Sequence, residues 1–130
     1  MDTANAPTET GSFARGMVMS TFDVDNSAVQ AVWDNIDVSA IPNPHIISQA
    51  ACGPVAPCSM FVEVNVRDTA TQGVLEVWNV TEDADGQADG IDIDLTPHKG
   101  EPLTVVFFML NNTAEAGDIV VFDDPRILGL

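Results

Sequence analysis

The sequence predicts an all-β protein, an antiparallel β-sandwich of about eight short strands with an N-terminal arm and at most one short helix. Three observations carry that prediction. Apolar and polar residues alternate strictly in several stretches, most cleanly over Met60–Arg67, where Val62, Val64 and Val66 face one way and Glu63, Asn65 and Arg67 the other. One run, Val105–Leu110, is apolar at every position, as befits a strand covered on both faces. Turn-forming clusters of Gly, Pro, Asn and Asp punctuate the chain about every ten residues, the spacing of sandwiches and barrels.

Taken in order, residues 1–12 are polar and rich in Thr, Ala and Pro, and read as a flexible arm ahead of a single domain spanning 13–130. Phe13 to Phe22 reads as a strand, with Met17 and Met19 on one face. Asp23 to Ile36 is ambiguous. Ser27 and Gln30 resemble a helix-capping pair, whereas Val29, Ala31 and Trp33 also fit a strand; the preferred reading is a helical turn feeding a strand near Trp33–Val38. Ile41-Pro42-Asn43-Pro44 is a turn, because neighbouring prolines exclude regular pairing. Met60–Arg67 and Val74–Val80 form a hairpin across the Asp68–Gly73 turn, with Trp78 either in the core or on an exposed ligand face. Thr81–Gly90 is an acidic loop. Ile91–Leu95, Leu103–Leu110, Asp118–Asp123 and Arg126–Leu130 complete the strands.

Composition narrows the function. Twenty Asp and Glu against four Lys and Arg give a formal charge of −16. Arg15, Arg67, Lys99 and Arg126 are too few to neutralise a phosphate backbone, so nucleic acid is not an expected partner. The longest apolar run is six residues, Val105–Leu110, far short of the roughly 20 that span a bilayer as a helix, and no membrane insertion is expected. Such acidity suits a solvated surface in salty surroundings, or gathers in part to hold Ca²⁺ or Mg²⁺. The acidic loop is the place for an ion: Asp83, Asp85 and Asp89 stand at spacings where carboxylates converge, with glycines for the sharp turns. The bidentate Glu of an EF-hand is missing.

Cys52 and Cys58 flank a five-residue spacer. Two cysteines this close pair as a disulfide in an oxidising compartment, and the spacer does not match the spacing of a zinc site. The start of the chain lacks the basic, apolar and small-residue succession of a secretion signal, which fits either a complete chain or a piece of an exported one. Catalysis is not expected, because His45 and His98 sit in turn-like segments without a nucleophile partner and no carboxylate pair stands apart from its neighbours.

The C-terminal third carries a specific resemblance. Asp92-Ile93-Asp94-Leu95-Thr96-Pro97-His98-Lys99-Gly100, a long apolar strand, a Gly-Asp turn and Phe122-Asp123-Asp124-Pro125-Arg126-Ile127 resemble the closing half of jelly-roll carbohydrate-binding modules, nearest to the novel putative carbohydrate-binding modules and their galactose-binding-like relatives. The Trp33 region and Phe61–Val66 are similar to the earlier strands of that group. The resemblance implies a jelly roll, a structural calcium near the chain ends with Asp123 and Asp124 at the matching positions, and sugars held against aromatic platforms. The chain has no tyrosine, which leaves Trp33 and Trp78 as the large rings.

Three functional expectations follow. The first is a non-catalytic structural or recognition protein on the surface of a larger assembly, such as a virion decoration protein or an extracellular lattice or filament subunit, with other subunits as partners, possible self-association and an arm reaching neighbours. The second is a glycan-binding module of a secreted carbohydrate-active protein, stabilised by calcium. The third is a calcium-dependent adhesive or filament-forming domain.

Overall fold

The computed structural model describes residues 6–8, 11–13, 16–20, 28–53, 58–83, 87–111 and 119–130. Eleven strands lie in this part of the chain: β1 (Ala6–Thr8), β2 (Gly11–Phe13), β3 (Gly16–Ser20), β4 (Ala28–Ile36), β5 (Pro44–Cys52), β6 (Ser59–Asp68), β7 (Val74–Asp83), β8 (Asp89–Asp94), β9 (Leu103–Asn111), β10 (Ile119–Asp123) and β11 (Arg126–Gly129). A single 3₁₀ turn, Thr96–His98, is the one helical element among them.

Two antiparallel sheets make the sandwich. The first runs β4-β9-β6-β7. In the second, β5 pairs with β8 on one edge and with β10 and β11 on the other, and β3 lies outside β10. From β3 onward the chain passes from sheet to sheet at every connection except the β6–β7 hairpin and the step from β10 to β11. Inside the arm, β1 and β2 pair antiparallel with each other.

Two readings of the sequence are corrected. The strand at Val29-x-Ala31-x-Trp33 begins at Ala28, so in Ala28–Ile36 the two-residue alternation prevails over the helical spacing; each of its ladder partners lies on β9, which only a strand could supply. Residues 23–27 lie outside the described residues. The acidic loop is also shorter than its composition suggested, because Thr81–Asp83 continues β7 opposite Ser59–Phe61 and Asp89–Gly90 opens β8 opposite Gln49–Ala50. Thr81 faces water at this sheet edge, whereas Glu82 is turned inward and buried.

Inward-facing residues of the first sheet are Val62, Val64 and Val66 of β6 and Val105, Phe107 and Met109 of β9, all buried. They meet Met17 and Met19 of β3, Ile46 and Ala50 of β5, Ile91 and Ile93 of β8, and Val120 and Phe122 of β10. Phe107 and Phe122 touch across the layers, ring edge to ring face, with centroids 5.0 Å apart. The outward side of β9 is covered as well: Thr104 and Val106 are buried, Phe108 and Leu110 half-buried. A Cys52–Cys58 disulfide ties the end of β5 to the start of β6, linking the two sheets, with Cα atoms 6.3 Å apart.

The Asp123-Asp124-Pro125 sequence is a β-bulge. Between the pairs Phe122↔Ala50 and Arg126↔Ile47, these three residues stand opposite Ser48 and Gln49, one residue in excess. Asp124 takes a left-handed backbone (φ 35°), and proline suits the place because a bulge spares its missing N–H. Buried Ser48 fills the broken ladder by donating its hydroxyl to the Asp123 carbonyl at 2.8 Å, and Arg126 donates to the Asp124 carbonyl at 2.9 Å. β10 and β11 are therefore one strand with a step in it.

At the far end Leu130 N–H donates to the Asn43 carbonyl, while Asn43 Nδ2 donates to the Leu130 carbonyl, each at 3.0 Å. A Cβ on Gly129 would come within 2.6 Å of the Pro42 carbonyl oxygen, so Gly129→Ala must push this clasp apart. The expected loss is about 1–3 kcal/mol, read as a lower urea midpoint with unchanged slope. Reduction of the disulfide with dithiothreitol should cost about 2 kcal/mol by releasing a short loop in the unfolded chain, measured by the same unfolding curve.

Asp94 closes β8, and its carboxylate accepts from Thr96, whose backbone N–H lies 2.9 Å away. The Thr96 hydrogen bonds hold the Asp94 carboxyl below its ordinary value of 3.8, with a smaller pull from His45. A carboxylate depressed in the folded state contributes stability above its unfolded pKa and loses it as pH falls through the folded value. Between about pH 5 and about pH 2, the wild type should therefore lose more stability than Asp94→Asn, checked by thermal melts across that range.

Candidate ligand-binding face

The outward surface of the β4-β9-β6-β7 sheet is built by the same alternation that fills the core. With Val62, Val64 and Val66 turned inward, Phe61, Glu63, Asn65 and Arg67 must project from the other side. Register then fixes their neighbours in cross-strand rows. Phe61 lies beside Leu110 and Thr81, Glu63 beside Phe108 and Asn79, Asn65 beside Val106 and Val77, and Arg67 beside Thr104. On the far side of β9, Gln30 sits beside Phe108 and Val32 beside Val106.

The rows give this face two chemically different halves. At one end Phe61 and Phe108 meet edge to face, centroids 6.3 Å apart, beside half-buried Leu110. Along β6 towards the other end runs a hydrogen-bonded polar row. Asn65 Nδ2 donates to Glu63 Oε2 at 2.9 Å, and Arg67 Nε donates to Asn65 Oδ1 at 2.9 Å. Beyond it, the Thr104 hydroxyl donates to Asp34 Oδ1 at 2.9 Å and lies 2.9 Å from the Thr69 hydroxyl. Asn65 is 3% exposed, so its amide is held from both sides and fixes the Glu63 and Arg67 head groups. A guanidinium has five donors and a carboxylate about four acceptor sites, which leaves both with capacity beyond these contacts. Exposed Gln30 and Asn79 flank the Glu63–Phe108 pair. Chemically, the face offers aromatic surface at one end and fixed donors and acceptors at the other.

Trp33 and Trp78, the sugar platforms expected from sequence, point the other way. Trp78 lies in the Val64 row and packs, half-buried, against the core. Trp33 lies in the Val105 row and meets the Phe107 ring at 5.6 Å, yet is 40% exposed. It stands at the mouth of an apolar cleft of about 260 Å³ between the sheets, walled by Trp33, Val105 and Phe107 on one side and Ile46, Pro125 and Ile127 on the other. Trp33 and Trp78 thus sit on the inner side of one sheet without facing a common surface.

The acidic positions fall on different elements. Asp83 ends β7 in the first sheet, Asp89 opens β8 in the second, and Asp123 and Asp124 form the bulge; Asp85 and the side chain of Asp83 lie outside the described residues. Among the described residues no three His, Cys, Asp or Glu gather as a metal site. Glu82 and Asn111, both fully buried in the row of Met60, were not singled out from sequence; a carboxylate in an inward position breaks the alternation, and that was the available signal.

No family model matches the sequence, and no curated protein matches it. Solved structures do. A family 11 carbohydrate-binding module from Clostridium thermocellum, in complex with a beta-1,3-1,4-mixed-linked tetrasaccharide, is 14% identical with a TM-score of 0.56 over 96% of this chain and 80% of its own. The family 11 module of a cellulosomal cellulase of Clostridium thermocellum is 15% identical with a TM-score of 0.51, over 90% of this chain and 76% of its own. The non-crystalline cellulose specific module CBM28 is 8% identical with a TM-score of 0.53, over 97% of this chain and 80% of its own. The fold is the jelly roll of carbohydrate-binding modules.

Aromatic residues missed as site candidates, Phe61 and Phe108, are legible only once β6 and β9 are known to pair, because 47 positions separate them in sequence. Replacing Asn65 by Ala removes both contacts that order the row and leaves Glu63 and Arg67 without their shared partner. The expected loss is about 1–3 kcal/mol of stability, measured by urea unfolding.

Proposed function

We propose that this protein is a non-catalytic glycan-binding module, and that its ligand lies on the outward face of the β4-β9-β6-β7 sheet. The observation that carries the reading is the pairing, on one exposed face, of the Phe61–Phe108 aromatic end with the Glu63–Asn65–Arg67 row. A pyranose ring has the complementary make-up: axial C–H groups that rest on aromatic rings, and equatorial hydroxyls that both donate and accept. A row whose side chains already hold one another meets such a ligand with little further loss of rotamer freedom. The jelly-roll likeness to one module in complex with a beta-1,3-1,4-mixed-linked tetrasaccharide and to another specific for non-crystalline cellulose supports this reading. None of these similar structures is a virion or lattice component, so the surface-assembly expectation draws no support from them.

The ligand class is a neutral glycan chain. A formal charge of −16 repels uronates and sulfated sugars, and Arg67 is the one cation whose side chain shares this face among the described residues. Affinity electrophoresis against soluble neutral β-glucans should show retardation of the wild type. Phe108→Ala and Arg67→Ala should each weaken binding about tenfold, whereas Trp33→Ala should leave it unchanged. Retention lost with Trp33→Ala and kept with Phe108→Ala would move the site to the inter-sheet cleft. No retention by any neutral glycan would overturn the reading.

A further inference from the structure

The glycan face leaves the cleft between the sheets unused. Its apolar walls are Trp33, Val105 and Phe107 of the first sheet and Ile46, Pro125 and Ile127 of the second, around about 260 Å³. An apolar cavity of roughly 150 Å³ already admits a benzene ring, so this cleft has room for a ring and a short side chain. Trp33 is fixed edge to face against Phe107 and remains 40% exposed, which leaves ring surface for a further contact. Arg126, exposed, is the one charged residue that lines the cleft among the described residues. Its Nη1 donates to the Asp124 carbonyl at 2.9 Å, which seats the guanidinium against the Asp124–Pro125 peptide at the cleft wall. That bond uses one of five N–H donors. Among the described residues no carboxylate forms an ion pair with Arg126. Asp34, beside Trp33 in sequence, turns to the outward side, where it accepts from Thr104.

We infer that this cleft is a second binding site, for a small aromatic carboxylate whose ring enters between the sheets and whose carboxylate meets Arg126. Charge and polarity select the occupant. A sugar fits poorly, because its hydroxyls would lose water against walls that return no hydrogen bonds. A wholly apolar molecule would fill the cleft and leave the guanidinium without a counter-ion. A carboxylate supplies one, and its two oxygens match the parallel N–H donors of a guanidinium. The formal charge of −16 opposes an anion only at a distance. At about 0.15 M salt the Debye length is about 8 Å, so remote acidic residues are screened while a direct contact with Arg126 is kept. The cleft opens between the sheets and the proposed glycan site lies on an outward face, so the inference stands apart from the glycan reading.

The test titrates the whole chain with phenylpropionate and with its neutral analogue phenylpropanol, at about 0.15 M NaCl. Binding is located by NMR through the indole N–H signals of Trp33 and Trp78, and affinities are read by isothermal titration calorimetry. Phenylpropionate should shift the Trp33 signal saturably and leave that of Trp78 in place. It should bind about fivefold more tightly than phenylpropanol, and Arg126→Gln should abolish that difference while the Trp33 shift persists. Ile127→Trp, which fills the cleft, should abolish binding of both probes. Trp33→Ala, which removes a wall, should do the same in calorimetry and serves should Ile127→Trp fail to fold. Failure of both probes to shift Trp33 overturns the inference. So does equal affinity for the two probes, or a preference for the carboxylate that survives Arg126→Gln.

Discussion

The burial of β9 on both faces is the constraint on which the rest of the structure depends. Leu103–Asn111 pairs along nearly its whole length with β4 on one edge and β6 on the other, so its backbone polar groups are satisfied without water. Its inward side chains then need a second sheet. Phe107 finds Phe122 there, and the valines of β6 flank it. Its outward side chains need cover too, which a two-layer sandwich does not supply. They receive it from their own sheet: Val106 lies between Asn65 and Val32 in its cross-strand row, and Phe108 has Glu63 and Gln30 beside it and meets the Phe61 ring. The polar row is thus part of how a bifacially apolar strand is shielded, and the same shielding sets up a surface with chemistry.

Much of this was legible in the sequence because period-two alternation is a local signal. The strands from Met60 to Arg67, Val74 to Val80 and Leu103 to Leu110 declared themselves, as did the outward direction of Glu63, Asn65 and Arg67. What local reading could not supply was register. Whether Phe61 meets Phe108 or Trp78 depends on which strand lies beside β6, and that is decided by contacts far apart in the chain. The rings of Trp33 and Trp78 have the chemistry of sugar platforms, yet alternation counted from Val64 and Val105 sends both inward. Asp123 and Asp124 drew notice as carboxylates, whereas in the fold their backbone carbonyls meet Ser48 and Arg126.

The bulge at Asp123–Pro125 shows how one extra residue shapes a corner of the molecule. By stepping the strand, it lets β11 continue alongside β5 while β3 remains paired with β10 alone. The second sheet is consequently narrower at this end than at the other. Trp33, which faces inward by register, stays 40% exposed at the cleft opposite Ile46, Pro125 and Ile127, where no further strand lies among the described residues. The exposed tryptophan is therefore a consequence of sheet width, which argues against reading it as a sugar platform on the strength of its exposure.

Acidity has two different jobs in this architecture. On β8 it lies along an open edge, where the exposed Asp92 and Asp94 discourage pairing with another chain. On the outward face of the first sheet it is sparse, and Glu63 is tied to Asn65 rather than left to repel. The distribution, more than the total, therefore carries the functional information. A surface that is uniformly acidic would resist both glycans bearing charge and copies of itself. This one leaves the polar and aromatic face of the first sheet out of that pattern, with Glu63 held by Asn65 and Arg67 the one cation among its described residues.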